Sequence, residues 1–122
     1  MTPSLVNAAS LAVVNLLLAA GQLLFKQVGL SIRGQPVTGV PVALLSSMAF
    51  YLAIGIYAGA TLLWIWLLSR VPLTRAYPWS ALAVAIVPLM AIILYGETVR
   101  PLFWVGITLI AAGIVVTQYG SV

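Results

Sequence analysis

Residues 5–26 read LVNAASLAVVNLLLAAGQLLFK, and the first charge in that stretch is Lys26 at its end. A bilayer core of about 30 Å needs about 20 apolar residues in helical form to cross it. In lipid no water meets the backbone, so such a segment has to satisfy its N–H and C=O groups internally, as a helix. The run begins with no positive residue before it and continues past Leu18-Ala19-Ala20, which resembles a cleavage site. It therefore reads as a retained transmembrane helix and not as a signal peptide.

Working outward, the pattern recurs three times. Apolar runs cover residues 42–69, 76–96 and 102–119. The first break holds Arg33-Gly34-Gln35-Pro36, the second Arg70 and Pro72, and the third Glu97, Arg100 and Pro101. These are turn and interface residues. The run at 42–69 exceeds the length a crossing needs, which predicts a tilt or a first turn lying in the interface. Pro78 falls in the first turn of the third run, where a missing N–H costs little, whereas Pro88 falls in its interior and predicts a kinked or loosened helix. Trp64, Trp66, Trp79 and Trp104 fall toward helix ends, where interfacial aromatics sit. The expectation is an all-α membrane protein, a single domain over residues 1–122 with transmembrane helices at 5–26, 42–69, 76–96 and 102–119.

Composition agrees. Of 122 residues, 64% are hydrophobic and 5% charged, against roughly 25% charged in soluble domains. Cysteine and histidine are absent and Glu97 is the sole carboxylate. A disulfide framework, a metal site and paired acid–base catalysis are thereby disfavoured, so no enzyme and no cofactor is expected. The net charge of +4 comes from Lys26, Arg33, Arg70, Arg75 and Arg100. They are scattered at membrane edges and do not form the clustered patch that nucleic-acid binding needs.

Four crossings put both termini on one side with Arg70 and Arg75, and Lys26, Arg33 and Arg100 on the other. Two cations against three give the positive-inside rule little to act on, which leaves insertion in both orientations open. Gly55 and Gly59 form a GxxxG pair in the second run, and Gly106 and Gly113 lie two turns apart in the fourth. Small residues at this spacing let helix backbones approach, either within the chain or between copies.

Polar residues inside the runs are the candidates for chemistry. Asn15, Leu18 and Gln22 share one helical face, at i, i+3 and i+7. The two amides either line a polar cavity or hydrogen-bond neighbouring helices as structural links. Arg75 stands beside the start of the third helix, whose N–H groups carry partial positive charge, and reads as a phosphate ligand or a headgroup anchor. Arg70 reads as an anchor. Lys26 either pairs with Glu97 or receives a phosphate. Tyr77 and Trp79 belong to the cavity or to the aromatic belt.

Three pieces of sequence together resemble a known group. They are Gly21-Gln22-Leu23-Leu24-Phe25-Lys26-Gln27, Val71-Pro72 followed by Ala76-Tyr77-Pro78, and Gly96-Glu97 followed by residues 104–113, WVGITLIAAG. Their order and spacing are similar to those of the small multidrug resistance proteins and their relatives in the EamA-like drug/metabolite transporter superfamily. The drug-exporting members carry a glutamate inside the first helix. Counted from Gly21 and Lys26, its position falls on Leu18, which can neither exchange a proton nor neutralise a cationic drug. The resemblance therefore points to the lipid-flippase branch, whose members handle aminoarabinose–undecaprenyl phosphate at the bacterial inner membrane.

The substrate site is expected at Asn15, Leu18, Gln22, Lys26, Arg75, Tyr77 and Trp79. One four-helix chain is small for a transport pathway, which implies a homodimer or a heterodimer with a related four-helix subunit. Its interface is expected at Gly106, Ile110 and Gly113. Translocation of a lipid-linked sugar is the leading expectation. A proton-coupled exporter of small molecules and a membrane scaffold for a partner enzyme are the alternatives.

Overall fold

The structure is a computed structural model that describes residues 3–120. Helix α1 spans Pro3–Ser31, α2 Val40–Leu45, α3 Met48–Leu68, α4 Leu73–Ala76, α5 Ala81–Tyr95 and α6 Pro101–Gly120. Four stretches are long and apolar enough to cross a membrane, Leu5–Ser31, Met48–Leu68, Leu73–Tyr95 and Pro101–Gly120. The described residues contain no strand.

The observed boundaries differ from the expected ones for local reasons. Helix α1 does not stop at Lys26 but runs on to Ser31. Gly29 is accommodated within it, and the turn comes at Gly34, whose φ of +85° lies in the left-handed region that glycine enters without strain. At about 1.5 Å per residue its 29 residues reach about 44 Å, more than a bilayer core. The expected second helix is divided. Pro41 sits in the first turn of α2, and α3 begins afresh at Met48. Ser47 has extended backbone and its hydroxyl accepts a hydrogen bond from the Phe50 N–H at 3.3 Å, the arrangement of a helix N-cap. The third crossing starts at Leu73 with one α turn and passes through a 3₁₀ turn over Tyr77–Ser80. It then continues as α5, uninterrupted at Pro88, to Gly96 at φ +67°.

Helix α1 is the hub. It packs chiefly on α3 and also on α5, while α6 packs on α5. Ala53, Ala60 and Leu67, seven residues apart, form the buried seam of α3. Small side chains on that seam let the two helices approach closely. The main core gathers Leu11, Val14, Leu67, Val71 and Ala76, with Leu18, Leu63, Trp64 and Trp79 against it. It lies where the first half of α1 meets the end of α3 and the entry to the third crossing. Gly55 and Gly59 take no part in this packing, since nothing lies within 4 Å of a Cβ added at either.

Candidate functional site

Three cavities follow one another along α1. The first lies at the end of the molecule that holds the start of α1, α4 and the end of α6. It measures about 360 Å³ and is lined by Asn7, Ala8, Leu11, Val71, Arg75, Trp79 and Gln118. Gln118 Nε2 donates to the Arg75 carbonyl at 3.2 Å, tying α6 to the third crossing here. Arg75 and Trp79 thus share one lining, with amides from α1 and α6 beside them. Arg70 stands apart, its guanidinium 4.5 Å above the Trp66 ring, in keeping with an anchor.

The second cavity, about 210 Å³, is lined by Val14, Leu18, Ala60, Thr61, Trp64, Tyr77 and Ser80. No charged side chain lines it. Leu18 faces it from α1 and Tyr77 from the 3₁₀ turn, so Tyr77 and Trp79, two residues apart, serve different cavities. The Thr61 hydroxyl donates to the Tyr57 carbonyl one turn back at 2.7 Å, which satisfies its proton within the helix.

The third cavity, about 520 Å³, lies between α1 and α5. Its lining includes Gln22, Phe25, Lys26, Gly29, Pro88, Ala91 and Glu97. Lys26 Nζ stands 3.2 Å from Glu97 Oε1. Gln22 Nε2 donates to the Tyr57 hydroxyl at 2.5 Å. The Tyr57 ring stacks on Phe25 with centroids 5.0 Å apart. It also lies directly over Gly21, where an added Cβ would run into it. Gly21, Gln22 and Phe25 thus form one receptor for a single tyrosine. At the end of α5 the Tyr95 hydroxyl donates to the Leu23 carbonyl at 2.9 Å.

The expected substrate residues are therefore distributed along α1 and its neighbours and do not converge on one point. Asn15 lines none of these three cavities. It is fully buried, donates its amide to the Leu11 carbonyl at 2.8 Å, and its Oδ1 has no partner. Sequence reasoning missed Tyr57, Thr61, Trp64 and Ser80, together with Asn7 and Gln118. Tyr57 carried a usable signal, because a phenol in mid-membrane needs a hydrogen-bond partner. On α6, a Cβ added at Gly106 or Gly113 meets nothing within 4 Å. Ile110 belongs instead to a half-buried row with Phe103, Ile107, Ile114 and Gln118.

Four apolar crossings with cavities along the first define a small multi-pass membrane protein of transporter type. The EamA-like transporter family matches residues 2–119, and the chain belongs to that family. Among curated relatives, it is 34% identical over 113 residues to the 4-amino-4-deoxy-L-arabinose-phosphoundecaprenol flippase subunit ArnE of Proteus mirabilis. That alignment covers 91% of this chain and 96% of the relative. It is 37% identical over 110 residues to the subunit of the same name from Pectobacterium atrosepticum, covering 88% and 93%. No solved structure matches. The four apolar crossings and this kinship make the chain a multi-pass protein of the bacterial inner membrane.

Proposed function

We propose that the chain is one subunit of a dimeric flippase that moves a polyisoprenyl-phosphate-linked sugar across the inner membrane. The carrying observation is the charge pattern along α1. Arg75 lines the cavity at one end and Lys26 the cavity at the other. The middle cavity, where Leu18 sits, is lined by no charge. A cation moving along this path would meet the Arg75 charge at one end, a Lys26 ammonium already matched by Glu97 at the other, and no carboxylate in the middle. An anionic head group meets a cation at each end, and its sugar hydroxyls meet Thr61, Ser80, Tyr77 and the Trp64 indole between them. The flippase subunits among its relatives point the same way.

On this reading the prenyl tail stays in lipid and only the head group enters the protein, which suits cavities that are open and modest in size. A second four-helix subunit, identical or related, would complete the path. The open Gly106 and Gly113 positions on α6 support a contact there.

The test is binding and transbilayer movement of a prenyl-phosphate sugar analogue by the full chain in liposomes. Arg75→Ala should lower affinity about tenfold, as loss of a charge-assisted hydrogen bond does. Arg100→Ala should have a smaller effect, because Arg100 lines none of the three cavities. Saturable binding of a lipophilic cation by wild type, released by acid, would overturn the proposal in favour of a proton-coupled exporter.

A further inference from the structure

We propose that the cavity between α1 and α5 is a phosphoryl-anion site, and that the Lys26–Glu97 ion pair is a latch which such an anion opens. This deepens the flippase reading and rests on it. The two side chains are 42% and 47% exposed. An ion pair so open to solvent contributes little, so a second anion can exchange into it at small cost. Glu97 is the only carboxylate side chain in the protein, so no other acidic side chain competes for Lys26. Both residues line a cavity of small-ligand size. Gln22 lines it as well, its amide held in place by Tyr57. A lysine ammonium suits a phosphoryl group as a compact point charge.

The same pair also closes the structure. Glu97 follows the left-handed Gly96 that caps α5, so its bond to Lys26 ties that end of α5 to α1. The Tyr95–Leu23 hydrogen bond is the second tie. Pro88, on the wall of the same cavity, has no N–H to give the Val84 carbonyl one turn back. The part of α5 beyond Pro88 is thus the segment best able to swing. Exchange of the Glu97 carboxylate for a phosphoryl anion removes one of these two polar ties, so arrival of the head group loosens this end of the path.

The experiment measures binding of farnesyl phosphate, and of inorganic phosphate in parallel, to the full chain in lipid nanodiscs. Removing the competitor by Glu97→Gln should tighten farnesyl phosphate binding about threefold or more. Lys26→Gln should weaken it about tenfold, and Lys26→Arg should retain it. The double variant should behave like Lys26→Gln alone, because the carboxylate acts only through the ammonium. Glu97→Gln binding no better than wild type overturns the latch. If only Arg75→Gln weakens binding, the latch is overturned and the flippase reading stands. If wild type binds no farnesyl phosphate, both are overturned. If inorganic phosphate binds as tightly with the same variant pattern, the phosphoryl site stands and its lipid source does not.

Discussion

Asn15 and Gln22 sit two turns apart on α1, yet their amides meet different surroundings. Asn15 is enclosed by the core, and its Oδ1 faces no donor. Replacing such a group with an apolar side chain of similar volume is nearly neutral or stabilising, because the desolvation of the amide is removed. Asn15→Leu should therefore leave the midpoint of thermal unfolding in detergent unchanged or raise it. A marked drop would mean that Oδ1 has a partner in the folded protein. Gly21 makes the opposite case. Gly21→Ala drives a methyl group against the Tyr57 ring, and overpacking of this kind costs about 1–3 kcal/mol. The same assay should show the loss, and Tyr57→Ala should cost less in the Gly21→Ala background than in wild type, because there it also removes the clash. The spacing of Asn15, Leu18 and Gln22 was readable in the sequence. Which of them reaches a cavity was not, because the helices packed on α1 decide it, and the partner of the Gln22 amide, Tyr57, lies 35 residues further along the chain.

At the scale of elements, the existence and order of the crossings follow from apolar length, which a linear chain displays openly. Their ends do not, because a helix stops where a local bond wins. The Ser47 hydroxyl starting α3 is one such bond, and the left-handed turn at Gly34 that follows α1 is another device. Both are short and outweighed in a hydropathy reading by the apolar residues around them. On α6 the inward row of Phe103, Ile107, Ile110, Ile114 and Gln118 leaves Gly106 and Gly113 facing outward. If that face meets a second subunit, a side chain at Gly113 forces two backbones apart. Gly113→Leu should then lower the dimer fraction in detergent clearly more than Gly120→Leu, at the helix end. Equal effects, read by cross-linking or native mass spectrometry, would assign the stripe to lipid.

For the whole molecule, the cavities give an argument about sidedness that the charges alone do not. Asn7, Arg75 and Gln118 share one cavity, and Lys26 and Glu97 share another. The start of α1, the α3–α4 connection and the end of α6 therefore lie at one end of the bundle. The turn after α1 and the turn after α5 lie at the other. The cations divide two against three, which leaves both orientations open, and if copies insert both ways a single reporter would average them. Paired reporters avoid this. In sealed vesicles, an Arg33→Cys/Thr74→Cys variant should take one impermeant label per chain whichever way the chain points, since its thiols lie on opposite sides. An Arg33→Cys/Thr98→Cys variant should take two labels or none, since both thiols lie on one side. Intact-protein mass spectrometry reads the count copy by copy. Two-or-none labelling of the first variant would break the four-crossing topology. With the topology upheld, the ratio of doubly labelled to unlabelled chains in the second variant measures the orientation bias. A ratio near one would make an antiparallel homodimer available to this subunit, and a ratio far from one would require a partner chain of the opposite bias for any antiparallel pair.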